Sequence, residues 1–183
     1  MFLLRLKHWQ AFLLVFILPF ILRYALTQLI AAAQPDAPGI ISTLVDALPT
    51  FVPVLWLWWV GLYLRNKLSD STRVSAVYFQ LAALYFALYI LLLIYTLGIV
   101  REALAEGTLQ LGLIALLLPM HLFATFCYLY VVYFVARCIT TLEKQRVVAT
   151  GEYIGVLVQI IFLPIGIWFI QPRLNKALPE TTN

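Results

Sequence analysis

Charge is what this sequence has least of. Only 11% of its 183 residues are Asp, Glu, Lys or Arg and 64% are hydrophobic, whereas soluble domains carry about 25% charge. Such a chain cannot wrap its apolar residues in a polar surface, so acyl chains must be its solvent. The eight acidic residues are Asp36, Asp46, Asp70, Glu102, Glu106, Glu143, Glu152 and Glu180, and all fall in connections or at helix ends. No carboxylate pair is left at membrane depth for proteolysis, and no buried acidic relay for protons. The two histidines and two cysteines lack metal-ligand spacing, and no His-Glu-x-x-His, Walker-type or Gly-rich dinucleotide motif occurs. No serine sits at depth beside a base that could activate it. Catalytic residues, cofactor and metal are each expected to be none. Cys127 and Cys138 share one helix face about three turns apart, too far to bridge, and read as small buried hydrophobes. Acylation of Cys138 near a membrane boundary is the alternative.

What is present is a series of apolar runs. A spanning helix needs about 20 mostly apolar residues, because its backbone groups must pair with one another inside the hydrocarbon. Five stretches meet or approach this length: 9–33, 43–64, 74–106, 109–137 and 153–170. The expected fold is all-α, a polytopic membrane helix bundle with five membrane-embedded helices in a single domain. Thr43 and Asp46 have capping-box spacing, Pro49 and Pro53 should kink the second helix, and Gly107 should stop the third. Thr150 and Glu152 suit the start of the fifth. The stretch between the fourth and fifth helices reads as a solvated loop in which Lys144 and Arg146 can meet anionic lipid. No internal repeat or heptad seam is evident.

All but Arg23 of the twelve basic residues flank the apolar runs in short segments, which is topology information and no argument for nucleic acid. Arg5, Lys7, Arg65, Lys67, Arg73, Arg137, Lys144 and Arg146 fall on one side of the membrane and Arg101 on the other. The N-terminus is therefore expected in the cytoplasm. A secretory signal ending near Ala31 is disfavoured by the length of the apolar run and by Arg23. The fifth stretch has two forms open. A crossing is favoured, since proline is common within continuous spans, but it would carry Arg173 and Lys176 outside. A re-entrant hairpin broken near Pro164 and Gly166 would keep them inside. Trp9, Trp56, Trp58, Trp59, Tyr63 and Tyr153 lie toward the cytoplasmic ends, and Tyr95 and Trp168 toward the opposite ends, as interfacial anchors.

Few polar residues remain at depth. Arg23 lies roughly 21 Å along its helix from Trp9 and should snorkel outward or pair with Asp36 or Asp46. By residue count His121, Gln80 and Gln159 can share one layer, with Thr125 and Tyr128 extending a polar stripe below His121. A hydrogen-bonded network tying helices together is the expected role, and a solute or proton pathway the alternative. Tyr78, Tyr85 and Tyr89 recur on one face of the third helix and should pack against neighbours.

The C-terminal PIGIWFIQPRLNK, preceded by Gly151-Glu152-Tyr153-Ile154-Gly155, resembles the closing segment of a family of small, uncharacterised bacterial multi-span membrane proteins. The resemblance covers about thirty residues and implies a bacterial inner membrane, with no functional residues to carry over. The expected function is non-enzymatic: a membrane scaffold or interaction subunit, partnered by the lipid bilayer and by copies of itself or another membrane protein. A small-solute or ion transporter using the layer around His121 is the alternative, and a lipid-handling enzyme the third.

Overall fold

The computed structural model describes residues 6–33, 39–69, 72, 75–108 and 111–177. All regular structure among them is helical. Four helices are long and apolar enough to cross a membrane, and the chain is a membrane-embedded protein. They are α1 (His8–Ala33), α2 (Gly39–Lys67), α3 (Val77–Glu106) and α4 (Leu111–Lys144). Two shorter helices follow, α5 (Thr150–Ile161) and α6 (Leu163–Ala177).

Local chemistry sets most boundaries. Helix α3 ends where Gly107 takes a left-handed φ of 71°, so that its amide and that of Thr108 reach back to the last turn. Helix α4 stops at Gln145, also left-handed at φ 52°, whose side-chain amide donates to the Leu142 carbonyl. In α1, five residues, Leu13–Ile17, form a π turn in which the Leu18 amide donates to the Leu13 carbonyl. Pro19 follows at once; having no N–H, it cannot continue the α ladder, and the wider turn lies beside that interruption.

Three expectations need correction. Helix α2 begins at Gly39, so Thr43 lies inside it and donates to the Gly39 carbonyl, while Asp46 is drawn to Arg23 rather than back to a cap. Helix α4 continues two turns beyond residue 137, because Cys138, Thr140 and Thr141 are buried in packing that a solvated loop would forgo. The fifth stretch, expected as one helix over 153–170, is two helices meeting at Phe162. Pro164 is the physical reason: it deprives the Ile160 carbonyl of a donor, yet costs nothing in the first turn of a new helix.

The two short helices fold back on each other as a hairpin. Glu152, at the start of α5, pairs with Lys144 and Arg146; Arg173, near the end of α6, pairs with Glu143. Both legs therefore end beside the same terminus of α4. At 12 and 15 residues they extend roughly 18 and 22 Å, so they fill only part of the depth of the bundle. Gly166 makes the hairpin possible: a Cβ there would stand 1.7 Å from the Gln159 carbonyl oxygen, which the bare Cα approaches instead.

The core gathers at this end. Leu64, Val60 and Trp56 of α2, Phe79 and Ala83 of α3, the run from Val131 to Leu142 of α4, and Ile160, Ile167, Ile170 and Leu174 of the hairpin supply it. Phe79 stacks on Phe134 with centroids 4.2 Å apart, and Gly61 leaves the room that the Phe79 ring occupies.

Candidate functional site

The hairpin is tied down by more than its three ion pairs. Gln171, fully buried, and Asn175 each donate a side-chain amide to the Leu6 carbonyl at 3.1 Å, fastening the last helix to the segment before the first. Arg173 grips Glu143 with two parallel hydrogen bonds of 2.7 and 2.6 Å, the fork geometry that guanidinium and carboxylate share. Trp168 lies against His8, ring centroids 4.8 Å apart, and against Phe12. Its expected place at the opposite membrane face is thus overturned, because the hairpin returns it to the end that holds Trp9.

Glu152 closes the base of α5. Its carboxylate accepts from Lys144 and from both terminal nitrogens of Arg146, and it caps the helix through the Ala149 amide at 3.3 Å. The hydrogen bonds from Lys144 and then Arg146 hold its carboxyl well below the ordinary 4.5, at about 2. Each acidic side chain described at this end is paired with a basic one. Lys7, Lys67 and Lys176 add further positive charge there.

The polar residues expected to form one layer do not converge. His121 is hydrogen-bonded through Nδ1 to the hydroxyl of Tyr89, 2.7 Å away on α3. Thr125 spends its hydroxyl on the His121 carbonyl of its own helix. Tyr128 lies against Phe86 with centroids 5.1 Å apart. Gln80 is exposed, since it falls one residue beyond buried Phe79 and so about 100° round the helix from the packed face. Gln159 is half-buried in the hairpin with its side-chain oxygen unpaired. Depth separates His121 from Gln80 as well as direction: Tyr89, which His121 meets, stands nine residues, roughly 13 Å, along α3 from Gln80.

Arg23 and Asp46 do pair, at 2.8 Å with both side chains nearly half exposed, and join α1 to α2. Asp36, the other proposed partner, lies outside the described residues, as do Arg5 and Arg73 of the orientation set. The tyrosine stripe of α3 fans out. Tyr78 is exposed, Tyr85 meets Phe123 edge to face at 4.7 Å, and Tyr89 turns inward to His121. Tyr78 and Tyr85 line an open apolar groove of about 800 Å³ between α3 and α4 with Phe123, Phe126 and Tyr130. Cys127 and Cys138 are free and buried, in keeping with small hydrophobes. Among the described residues no three His, Cys, Asp or Glu side chains gather as metal ligands would.

Sequence reasoning missed the residues that fasten the hairpin. Glu143 and Arg173 are thirty positions apart and Leu6 and Gln171 are 165 apart, separations at which no local pattern links them. Comparison with protein-family models, with curated proteins and with solved structures gives no match.

Proposed function

We propose that this chain is a non-enzymatic scaffold or interaction subunit of a bacterial inner membrane, with its N-terminus in the cytoplasm and α5–α6 entering the bilayer as a re-entrant hairpin. The observation that carries this reading is the uncovered half of the bundle. Beyond Leu18 the only buried residue of α1 is Pro19, and no described side chain of α4 is buried before Ala124. His121 is among the exposed residues there. A histidine facing acyl chains is costly, and hydrogen bonding across a helix interface is how membrane proteins relieve such a cost. A second copy or another spanning protein covering these faces supplies that interface. The separation of His121, Gln80 and Gln159 gives a permease pathway through them less support.

Two experiments test the reading. Purified in mild detergent and in lipid nanodiscs, the protein should run as a dimer or larger assembly, or retain a co-purifying membrane protein; a monomer with no companion overturns it. For the hairpin, an Asn183→Cys variant should react with an impermeant thiol reagent in inverted vesicles and stay protected in intact cells. Labelling from outside would establish a fifth crossing instead.

A further inference from the structure

Four interruptions of the regular helical ladder meet at one partly open cavity between the helices. Its walls include Phe16 from the π turn of α1, Pro49 and Pro53 from α2, Tyr128 from α4, and Leu163 and Pro164 from the hairpin tip. Thr50, Val54, Leu57, Phe86 and Ile161 complete it, and its volume is about 350 Å³. Counted from the basic ends of their helices, Phe16, Phe86, Pro53 and Tyr128 stand roughly 12 to 24 Å deep. Broken helices that line a cavity at mid-depth are the form in which membrane proteins tolerate irregular backbone, and π turns concentrate at functional sites.

The lining states what fits. None of these residues is charged, so an ion would enter without a counter-charge and the occupant must be neutral. The volume lies within the roughly 300–1,000 Å³ of small-molecule sites, near the lower end. Three aromatic rings line it, Phe16 from α1 and the tilted Phe86–Tyr128 pair from α3 and α4, and favour a ring among them. Hydrogen bonding is available and unused. Neither the Thr50 nor the Tyr128 hydroxyl has a hydrogen-bond partner among the described residues, and Pro53 withholds from the Pro49 carbonyl the amide donor of a regular helix. In hydrocarbon an acceptor without a donor is expensive, and a ligand hydroxyl relieves it.

We propose that this cavity binds a neutral, membrane-partitioning phenolic molecule: one ring seated among the aromatic walls, with its hydroxyl donated to an acceptor of the lining, the Thr50 or Tyr128 hydroxyl or the Pro49 carbonyl. The site lies within a single chain and does not depend on how many copies assemble.

The test uses the full-length protein in lipid nanodiscs and a small diazirine-bearing phenol as photoprobe, with its O-methyl ether as the comparison compound. The phenol should label saturably, and the adducts should map by mass spectrometry to peptides containing Phe16, residues 49–57 and residues 161–164. The ether keeps the ring and loses the donor, so its half-saturating concentration should be about tenfold higher, the value of one hydrogen bond. Val54→Trp, which fills the void, should abolish saturable labelling while preserving the thermal transition. Should that variant not fold, Thr50→Val combined with Tyr128→Phe should weaken the phenol about tenfold and leave the ether unchanged. Labelling that rises linearly with probe, equal affinity for phenol and ether, or indifference to the Thr50 and Tyr128 substitutions would each overturn the proposal.

Discussion

At the basic end of the bundle each helix leans on the hairpin or on a neighbour held by it; at the far end the same helices have little but each other. Leu64, Phe79, Ile139 and Leu174 are almost wholly enclosed, whereas Leu29, Leu104, Leu116 and Leu118 of the far halves are about 60% exposed. Both sets are apolar, so hydrophobicity does not distinguish them. In a bilayer an apolar side chain gains nothing by leaving lipid for protein, and packing density becomes the discriminating quantity. The hairpin supplies that density for one half of the molecule only.

The sharpest way to break the contrast is to forbid the hairpin. Gly166→Val would drive a branched side chain into the Gln159 carbonyl, and a loss on the order of 4 kcal/mol or more is expected, read as loss of the folded, monodisperse protein in detergent. Next in size, paired truncations should measure the two halves against each other. Leu64→Ala should lower stability by about 2 kcal/mol, through lost contacts and a residual cavity, and Leu116→Ala by less than about 0.5 kcal/mol, in denaturation by a strong detergent. Equal costs would erase the distinction. Glu143→Gln should remove about 0.5–1 kcal/mol, since the Arg173 pair is well formed but partly open to solvent, and should raise hydrogen exchange in α6 before it does so in α4.

In the far half, His121→Ala should cost about 0.6 kcal/mol in the same denaturation assay. The least effect is expected from acid. Glu152 has its carboxyl held at about 2 in the folded chain against an ordinary 4.5, so its stabilisation is complete above 4.5 and fades as the pH falls toward 2. Exchange at the α5 terminus should therefore rise over that window, and Glu152→Gln should flatten the dependence.

The layout of the long helices was legible because membrane depth writes itself into composition: runs of about 20 apolar residues leave little choice. Arg173 and Lys176 are a visible objection to a crossing. Proline breaks some helices and merely kinks others, and only tertiary contacts decide which. Here Gly166 against Gln159, and Arg173 on Glu143, decide it. The π turn of α1 has no compositional signature in Leu13–Ile17, which reads as ordinary apolar helix. The polar layer failed for a different reason. Counting from the ends of the apolar runs puts His121 and Gln80 in one layer, but α3 starts only at Val77, His121 meets Tyr89 roughly 13 Å along that helix from Gln80, and α3 buries Phe79 and Ala83 while Gln80 faces outward. Tyr89, the partner His121 does find, shares a sequence stripe with Tyr78 and Tyr85 but not their surroundings.

The Leu6 carbonyl waits for partners that the ribosome has yet to make. Gln171 follows it by 165 residues, so at about 5–20 residues per second the interval is roughly 8 to 33 s. For that time α1 must hold its place in the membrane without α6, and the bundle can lock only once Gln171 has been made.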